Sequence, residues 1–310
     1  MTTTLVTGGT GYVGSFLVPR LKERGGTVRL LIHDPRHVPP MLHAGGYELV
    51  EGDVTRPDTL GAAFAGVDAV VHLVAIIKER GEVTFERVNY GGTVNAVAAA
   101  TAAGVRRFLH MGANGARPDP RSPFLDTKYR AQEHVRASGL DYTIFQPAVI
   151  FGAGDEFVNK LADLVRKPLI FFPAPVLPVA GDGSAPFQPV WGGDVAEAFA
   201  RALDDPATIG QVYQLGGPER LTYGQMLDAV MATLGTRRAK LHVPLPLMKP
   251  AVLAMNAVLP DPPVTGEQFK LLTVDNSCPQ SATERLIGRP PRRFAEGIGY
   301  IREPGGGRHR

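Results

Sequence analysis

The chain has 310 residues and a mass of 33.2 kDa, which at roughly 100–200 residues per domain means one large domain or two modest ones. Hydrophobic residues make up 44%, charged residues 20%, and the net charge is +3, which excludes an acidic disordered chain and disfavours a strongly basic nucleic-acid binder. The one cysteine, Cys278, excludes an internal disulfide framework and a cysteine-based metal cluster, and a reducing, cytoplasmic compartment is its simplest home.

The 36 glycines and 27 prolines are a fifth of the chain, against roughly 12% on average, and point to turns and ligand loops rather than low complexity. Residues 1–6 are too few, and too soon followed by glycine, to read as a signal peptide or anchor. A short apolar strand is predicted over 3–7, then a helix over 12–24 with Val13, Phe16, Leu17 and Leu21 on one face. Pro19 inside that helix removes a backbone hydrogen bond and predicts a bend, and Gly25-Gly26 stops it. Strands follow over 27–32, 47–50 and 69–74, with a short helix over 58–66 capped by Asp58. An alanine-rich helix over 89–104 leads to a strand over 107–111. Residues 122–139 open with Ser122-Pro123 and close with Gly139, the start and stop signals of a helix, and 142–146 form the sixth strand. Nearly continuous apolar strands separated by helices predict an α/β, doubly wound parallel sheet of the Rossmann type, with helices on both faces.

After Phe151 the rhythm changes. Residues 168–189 show no period and read as a long connection. A helix over 194–203, a strand over 211–215 and a helix over 222–234 follow, the last with a capping box of Thr222 and Gln225. Residues 244–260 are apolar but broken by Lys249 and by prolines, too interrupted for a bilayer span of about 20 residues. A packed or half-exposed helix is the favoured reading, with a helix lying on a membrane or partner as the alternative.

The strongest local signal is Gly8, Gly9, Thr10, Gly11, Tyr12, Val13 and Gly14, a G-x-x-G-x-x-G run directly after a strand and directly into a helix. A tight turn needs backbone angles that side chains resist. A diphosphate needs the backbone close, with amides at the helix start donating to its oxygens. The last glycine lets helix and strand touch. This predicts a nicotinamide dinucleotide site in residues 1–155 and 187–216. A smaller, mostly helical substrate or partner subdomain is then predicted over 156–186 and 217–303, with a flexible tail over 304–310. An acid ending strand two would bind a ribose 2′-hydroxyl, and a cation there a 2′-phosphate. The acid position falls on Ile32, while His33 follows and Arg36 lies within reach, which favours NADP(H) over NAD(H). Asp34 keeps NAD(H) open.

These residues, with Gly52-Asp53-Val54 and Val71-His72-Leu73-Val74-Ala75, resemble the extended and atypical short-chain dehydrogenase/reductases. Downstream, Gln146-Pro147-Ala148-Val149-Ile150-Phe151-Gly152, Phe187-Gln188-Pro189-Val190, Gly193-Asp194-Val195-Ala196-Glu197-Ala198 and Leu215-Gly216-Gly217-Pro218-Glu219 are similar to the family of the 39-kDa accessory subunit of respiratory complex I. Pro262-Pro263-Val264-Thr265 and Asp275-Asn276 resemble the end of that pattern. The resemblance implies that Asp53 and Val54 hold the adenine, that Val74 and Ala75 line the phosphate–ribose path, and that Pro147 and Val149 meet the nicotinamide through the backbone. Ordinary core packing is the competing reading for Val74, Ala75 and Val149.

The superfamily's chemistry uses Tyr-x-x-x-Lys on one helix face and a serine or threonine at the end of strand five. Here the segment is Phe124-Leu125-Asp126-Thr127-Lys128, and no Ser, Thr or Tyr occurs from residue 102 to 121. A phenyl ring has no proton to give. No catalytic residue and no metal ligand is therefore assigned. Lys128 remains for the ribose hydroxyls, Asn89 and Asn95 buttress the site, and His72 and His110 read as core histidines before catalysts. The expected function is an NAD(P)-binding protein of this superfamily whose cofactor is structural or sensing, with a protein partner or peripheral membrane complex. The alternative is an NAD(P)H-dependent oxidoreductase or nucleotide-sugar epimerase/dehydratase using Lys128 and an unrecognised proton donor. Any substrate specificity is expected from 151–189 and 221–260.

Overall fold

The computed structural model describes residues 2–167, 176–258, 266–271 and 275–303. Phe171 and Phe172, which the sequence reads as core or as a pocket wall, lie outside them, as do the 262–265 motif and the 304–310 tail. Two compact units divide the chain: Met1–Pro147 with Gly192–Leu215 and Ala282–Arg289, and Ala148–Trp191 with Gly216–Ser281 and Pro290–Arg310. Residues 148–155 and 187–191 thus group with the second unit and 282–289 with the first.

The first unit is built on seven parallel strands: β1 (Thr3–Thr7), β2 (Thr27–Ile32), β3 (Glu48–Glu51), β4 (Ala69–His72), β5 (Arg107–Met111), β6 (Asp141–Pro147) and β7 (Gln211–Leu215). Their order is β7-β6-β5-β4-β1-β2-β3, so the winding reverses between β1 and β4. That reversal opens a crevice at the carboxyl ends of the strands, where doubly wound sheets take their ligands. Leu5, Val6, Val70, Val71, Phe108 and Leu109 are fully buried, as strands covered on both faces require.

Four helices position the site. α1 (Tyr12–Glu23) runs without a break through Pro19 and buries Gly14, Leu17, Val18 and Leu21. α2 (Gly92–Ala102) is entered through a wider π-turn, Glu86–Gly91. α3 (Pro123–Arg136) has Ser122 as N-cap, its hydroxyl accepting from the Leu125 N–H. α4 (Gly192–Ala202) packs on α1 closely enough that a Cβ on Gly192 would stand 2.8 Å from the Phe16 ring.

Several expected boundaries shift. β4 ends at His72, so Leu73 and Val74 leave the sheet and pass beneath the glycine turn. The 58–66 helix is a 3₁₀ turn, Pro57–Thr59, followed by Gly61–Phe64, and Asp58 caps neither. Thr59 ties that turn instead, accepting from the Asp53 N–H at 2.9 Å and donating to the Arg56 carbonyl at 2.7 Å. The 168–189 stretch is not a plain connection either, since Val176–Ala180 and Pro186–Phe187 are strands.

Within the second unit, Val176–Ala180 pairs in parallel with Ala239–Val243, joining the two regions expected to carry specificity. Phe151, Phe187, Met226, Leu227, Val230 and Phe294 lie in its core. The capping box of Thr222 and Gln225 is formed in full at the start of Tyr223–Thr233. Residues 244–260 contain the helix Leu245–Val258, and no helix among the described residues is long and apolar enough to cross a membrane.

Candidate dinucleotide site

The turn from β1 into α1 is shaped by close backbone contacts. Gly8 has φ of +77°, which side chains resist, and a Cβ there would stand 3.0 Å from the Val74 nitrogen. A Cβ on Gly14 would lie 2.3 Å from the Gly9 carbonyl oxygen, so only glycine lets α1 press against the turn. Gly11 is the helix N-cap and brings no side chain over the first turn, while Thr10 and Gly11 are exposed. A pyrophosphate therefore fits on the observed geometry: close backbone, an open approach and the positive end of a helix dipole.

Asp53 stands beyond β3, held by the Thr55 N–H and hydroxyl, both donating to Oδ1 at 2.8 and 2.9 Å. Its Oδ2 faces His33 Nε2 at 3.5 Å, which brings two expected site residues together. Val54 beside them is buried, and its carbonyl accepts from Asn95 Nδ2 at 2.8 Å. Arg36 is turned inward on Asp34, with Nε and Nη2 donating to the carboxylate at 2.9 and 2.8 Å. That guanidinium, with His37, holds the Asp34 carboxyl well below the usual carboxylate range. The Arg36 side chain is otherwise exposed.

Asn89 clamps the segment after β4 from the π-turn. Its Oδ1 accepts from the Ile76 N–H at 2.8 Å and its Nδ2 donates to the Ile76 carbonyl at 3.1 Å. Val74 is half-buried and Ala75 exposed just upstream. At the end of β6 the Pro147 carbonyl accepts from the Asn114 N–H at 3.0 Å. In the second unit Val149 already has both backbone groups engaged: its N–H donates to Asn276 Oδ1, and its carbonyl accepts from Val190, both at 2.9 Å. Recognition through the Val149 N–H is thus unavailable in this arrangement. Asn276 also donates its own N–H to Pro186, and Gln188 Nε2 donates to the Gly217 carbonyl while its Oε1 accepts from Cys278. Val149, Gln188, Gly217 and Asn276 of the downstream motifs therefore staple the second unit.

A buried polar layer runs across the first unit's sheet. In register, Thr7 on β1 neighbours His72 on β4, which neighbours His110 on β5. Thr93 donates its hydroxyl proton to the Asn89 carbonyl at 2.8 Å, so the 3.2 Å contact from His72 Nε2 requires the proton on Nε2. His72 Nδ1 then accepts from the Thr7 hydroxyl at 2.7 Å. Burial, with the Lys128 charge nearby, pushes the His72 imidazole down to about 3. The His110 ring stacks on it at 5.6 Å, and both its nitrogens are buried with no hydrogen-bond partner among the described residues. His72 is thus a satisfied core histidine, and His110 is not.

Lys128 reaches this layer from α3. It is 2% exposed, its Nζ donates to the Met111 carbonyl at 2.5 Å, and burial alone pulls its ammonium down to about 7. One turn earlier Phe124 meets Phe85 edge-on at 5.7 Å. After β5, a Cβ on Gly112 would stand 2.6 Å from Gln132 Nε2, so the glutamine amide fills the space a side chain there would take. Gln132 accepts from Gln146 Nε2 at 2.6 Å, while its own Nε2 is buried without a partner among the described residues. Sequence reading missed this glutamine; its spacing of four from Lys128, on the same helix face, was the available signal.

A family model described as NAD(P)H-binding matches residues 8–157. The chain is 29% identical over 284 residues to NADH dehydrogenase (ubiquinone) 1 alpha subcomplex subunit 9, mitochondrial, of Arabidopsis thaliana, covering 87% of this chain and 69% of that one. It is 30% identical over 280 residues to 3 beta-hydroxysteroid dehydrogenase/Delta 5→4-isomerase of Mycobacterium tuberculosis, covering 79% of this chain and 73% of the relative. The solved UDP-glucose 4-epimerase of Thermus thermophilus in complex with NAD shares the fold, with a TM-score of 0.70 at 22% identity over 97% of each chain. The chain belongs to the NAD(P)-binding short-chain dehydrogenase/reductases and is similar to relatives named as complex I subunits.

Proposed function

We propose that this protein holds a nicotinamide dinucleotide, NADP(H) in preference to NAD(H), as a structural or sensing cofactor with little or no redox turnover. The carrying observation is a contrast within one sheet edge. The glycine turn keeps the geometry a pyrophosphate needs, while the place of the proton-donating tyrosine holds Phe124, and Gly112 after β5 offers no hydroxyl. When bound, the cofactor supplies hydride chemistry. Gly8 to Gly14 seat its phosphates, Asp53 and Val54 its adenine, Arg36 and His33 its 2′-phosphate, while Val74 and Ala75 line the phosphate–ribose path and Lys128 meets the nicotinamide ribose hydroxyls. A positioned acid or base typically contributes 10²–10⁴ in rate, so its loss leaves binding without practical turnover.

The test is the mass of any nucleotide that stays with the purified protein, together with melting and turnover. Added NADPH at a hundredfold excess over its Kd should stabilise the fold by about 3 kcal/mol. No oxidation should appear across a panel of carbonyl compounds. NADPH consumption abolished by Lys128→Ala would instead establish the second reading, an oxidoreductase or epimerase with an unassigned donor. Support for that reading is the 30% identity to a relative named as a dehydrogenase/isomerase.

Membership of a larger assembly is also proposed. Two observations favour it: a relative named as an NADH dehydrogenase subunit, and a helix, Leu245–Val258, whose Leu247 and Leu253 are 69% and 57% exposed. Leu247→Glu should leave the melting temperature unchanged and shift the native complex to the size of the free chain.

A further inference from the structure

The groups that face Lys128 from neighbouring elements are not acidic. His72 comes from β4 and His110 from β5, both fully buried and both held neutral by burial and by the Lys128 charge. The carbonyl of Met111 is the hydrogen-bond acceptor. On α3 itself, Asp126 lies on the opposite face and is engaged by Arg130, which also reaches Glu86. Among the described residues no carboxylate compensates the Lys128 charge. Thr7 and Thr93, the groups hydrogen-bonded to His72, are neutral, and Thr93 donates on to the Asn89 carbonyl.

An ammonium buried without an anion is destabilised relative to the amine. Close to it, any further positive charge acts through a low dielectric and weighs heavily. The two redox forms of a nicotinamide differ by that one charge: the oxidised ring is cationic and the reduced ring neutral.

We propose that Lys128 couples the redox state of the bound dinucleotide to a proton: the oxidised form binds with Lys128 as the amine, its proton released to solvent, and the reduced form binds with Lys128 as the ammonium. The inference rests on the reading that a nicotinamide dinucleotide occupies this site. No electron moves in the step; one N–H bond of the ammonium breaks and the proton passes to buffer. The orphaned nitrogens of His110 lie in the same buried layer, and among the described residues no carboxylate anchors the ammonium form. Linkage fixes the sign. Below the pH at which free Lys128 loses its proton, affinity for the oxidised form rises with pH, by up to tenfold per unit, and it levels off above. The reduced form, which keeps the ammonium, shows the opposite dependence: flat below that pH and weaker above it, by up to tenfold per unit. The protein's preference between the two forms is thereby set by pH.

The experiment is isothermal titration of the whole chain with NADP⁺ and with NADPH at pH 6.5, in three buffers of different ionisation enthalpy. With Lys128 near 7, NADP⁺ should release about three-quarters of a proton and NADPH take up about a quarter, a difference of one. Lys128→Met should erase that difference and flatten the pH dependence of NADP⁺ binding. Lys128→Arg, permanently charged, should weaken NADP⁺ relative to NADPH at every pH. The wild-type measurement stands without either variant, should one fail to fold. Equal proton counts for the two forms overturn the coupling and leave the dinucleotide reading intact. Failure of NADP⁺, NADPH, NAD⁺ and NADH all to bind overturns both.

Discussion

The two sides of the crevice at the carboxyl ends of the strands are built from different materials. At the β1–α1 turn the working parts are backbone: Gly8 beside Val74, Gly14 against Gly9, and the open first turn of α1. At the β4–β5–α3 side they are side chains, His72, His110, Gln132 and Lys128, in a buried layer. Backbone recognition depends on shape, which any fold-preserving substitution outside the glycines leaves in place. Proton transfer depends on the identity of one or two side chains. The second can therefore be lost while the first persists, and under the proposed function the contrast between Phe124 and the glycine turn is such a loss.

The largest expected effect comes from the side-chain end. Lys128 falls to about 7 from an ordinary 10.5. Between those values the unfolded chain holds a proton that the folded chain lacks, so this group makes stability rise with pH and exerts its full penalty below 7. That penalty is on the order of 5 kcal/mol at pH 6. Lys128→Met should thus be more stable than wild type in urea unfolding at pH 6 and lose the advantage by pH 10.5. A gain of the same size at both pH values would show that packing, not charge, is responsible. His72 has the same sign lower down: its folded value near 3 against 6.5 removes stability as pH falls from 6.5 towards 3.

At the backbone end, Gly14→Val places side-chain atoms where a Cβ alone would be 2.3 Å from the Gly9 carbonyl. Backbone cannot move aside as a side-chain tip does. Destabilisation of about 3 kcal/mol is expected, with loss of any melting response to added NADPH. A variant that melts lower yet keeps the full NADPH response would break the assignment of the turn to the phosphates. Smaller again is Asn89→Ala, which removes both hydrogen bonds to Ile76 and should cost about 2 kcal/mol. Hydrogen exchange at Ile76 should accelerate, because its N–H loses its acceptor.

Much of this is legible in the sequence alone. β1, β2, β5 and β7 occupy the predicted residues, because each is an apolar run bounded by glycine, proline or charge. The Ser122-Pro123 start of α3 and the Thr222 box rest on local chemistry and appear as read. Non-local geometry was not legible. Nothing in the order of residues says that β4 ends two residues early so that Val74 can pass under Gly8, or that Asn276 takes the Val149 N–H from 127 positions away. Gln132 was hidden for the same reason. A polar residue on a helix reads as solvated until the facing glycine is seen to leave room for it.

The smallest expected effect is the sharpest on the contrast between the two ends. Phe124→Tyr restores the phenol four residues before Lys128, on the same helix face, and should still give no measurable turnover of a carbonyl compound. Two reasons stand behind that expectation. The phenol would sit near a lysine whose ammonium is only partly populated at neutral pH, so the charge that activates it is weakened. The second donor is also absent, and Gly112→Ser cannot supply it alone, since a Cβ there meets Gln132 Nε2 at 2.6 Å and the Phe145 carbonyl at 3.1 Å. Activity should need Phe124→Tyr, Gly112→Ser and a shortened Gln132 together, because only then does the hydroxyl have both a place and a partner. Turnover in the Phe124→Tyr variant alone would mean that the missing proton donor was the single defect, and that the second side of the crevice is far less altered than its buried glutamine and orphaned histidine indicate.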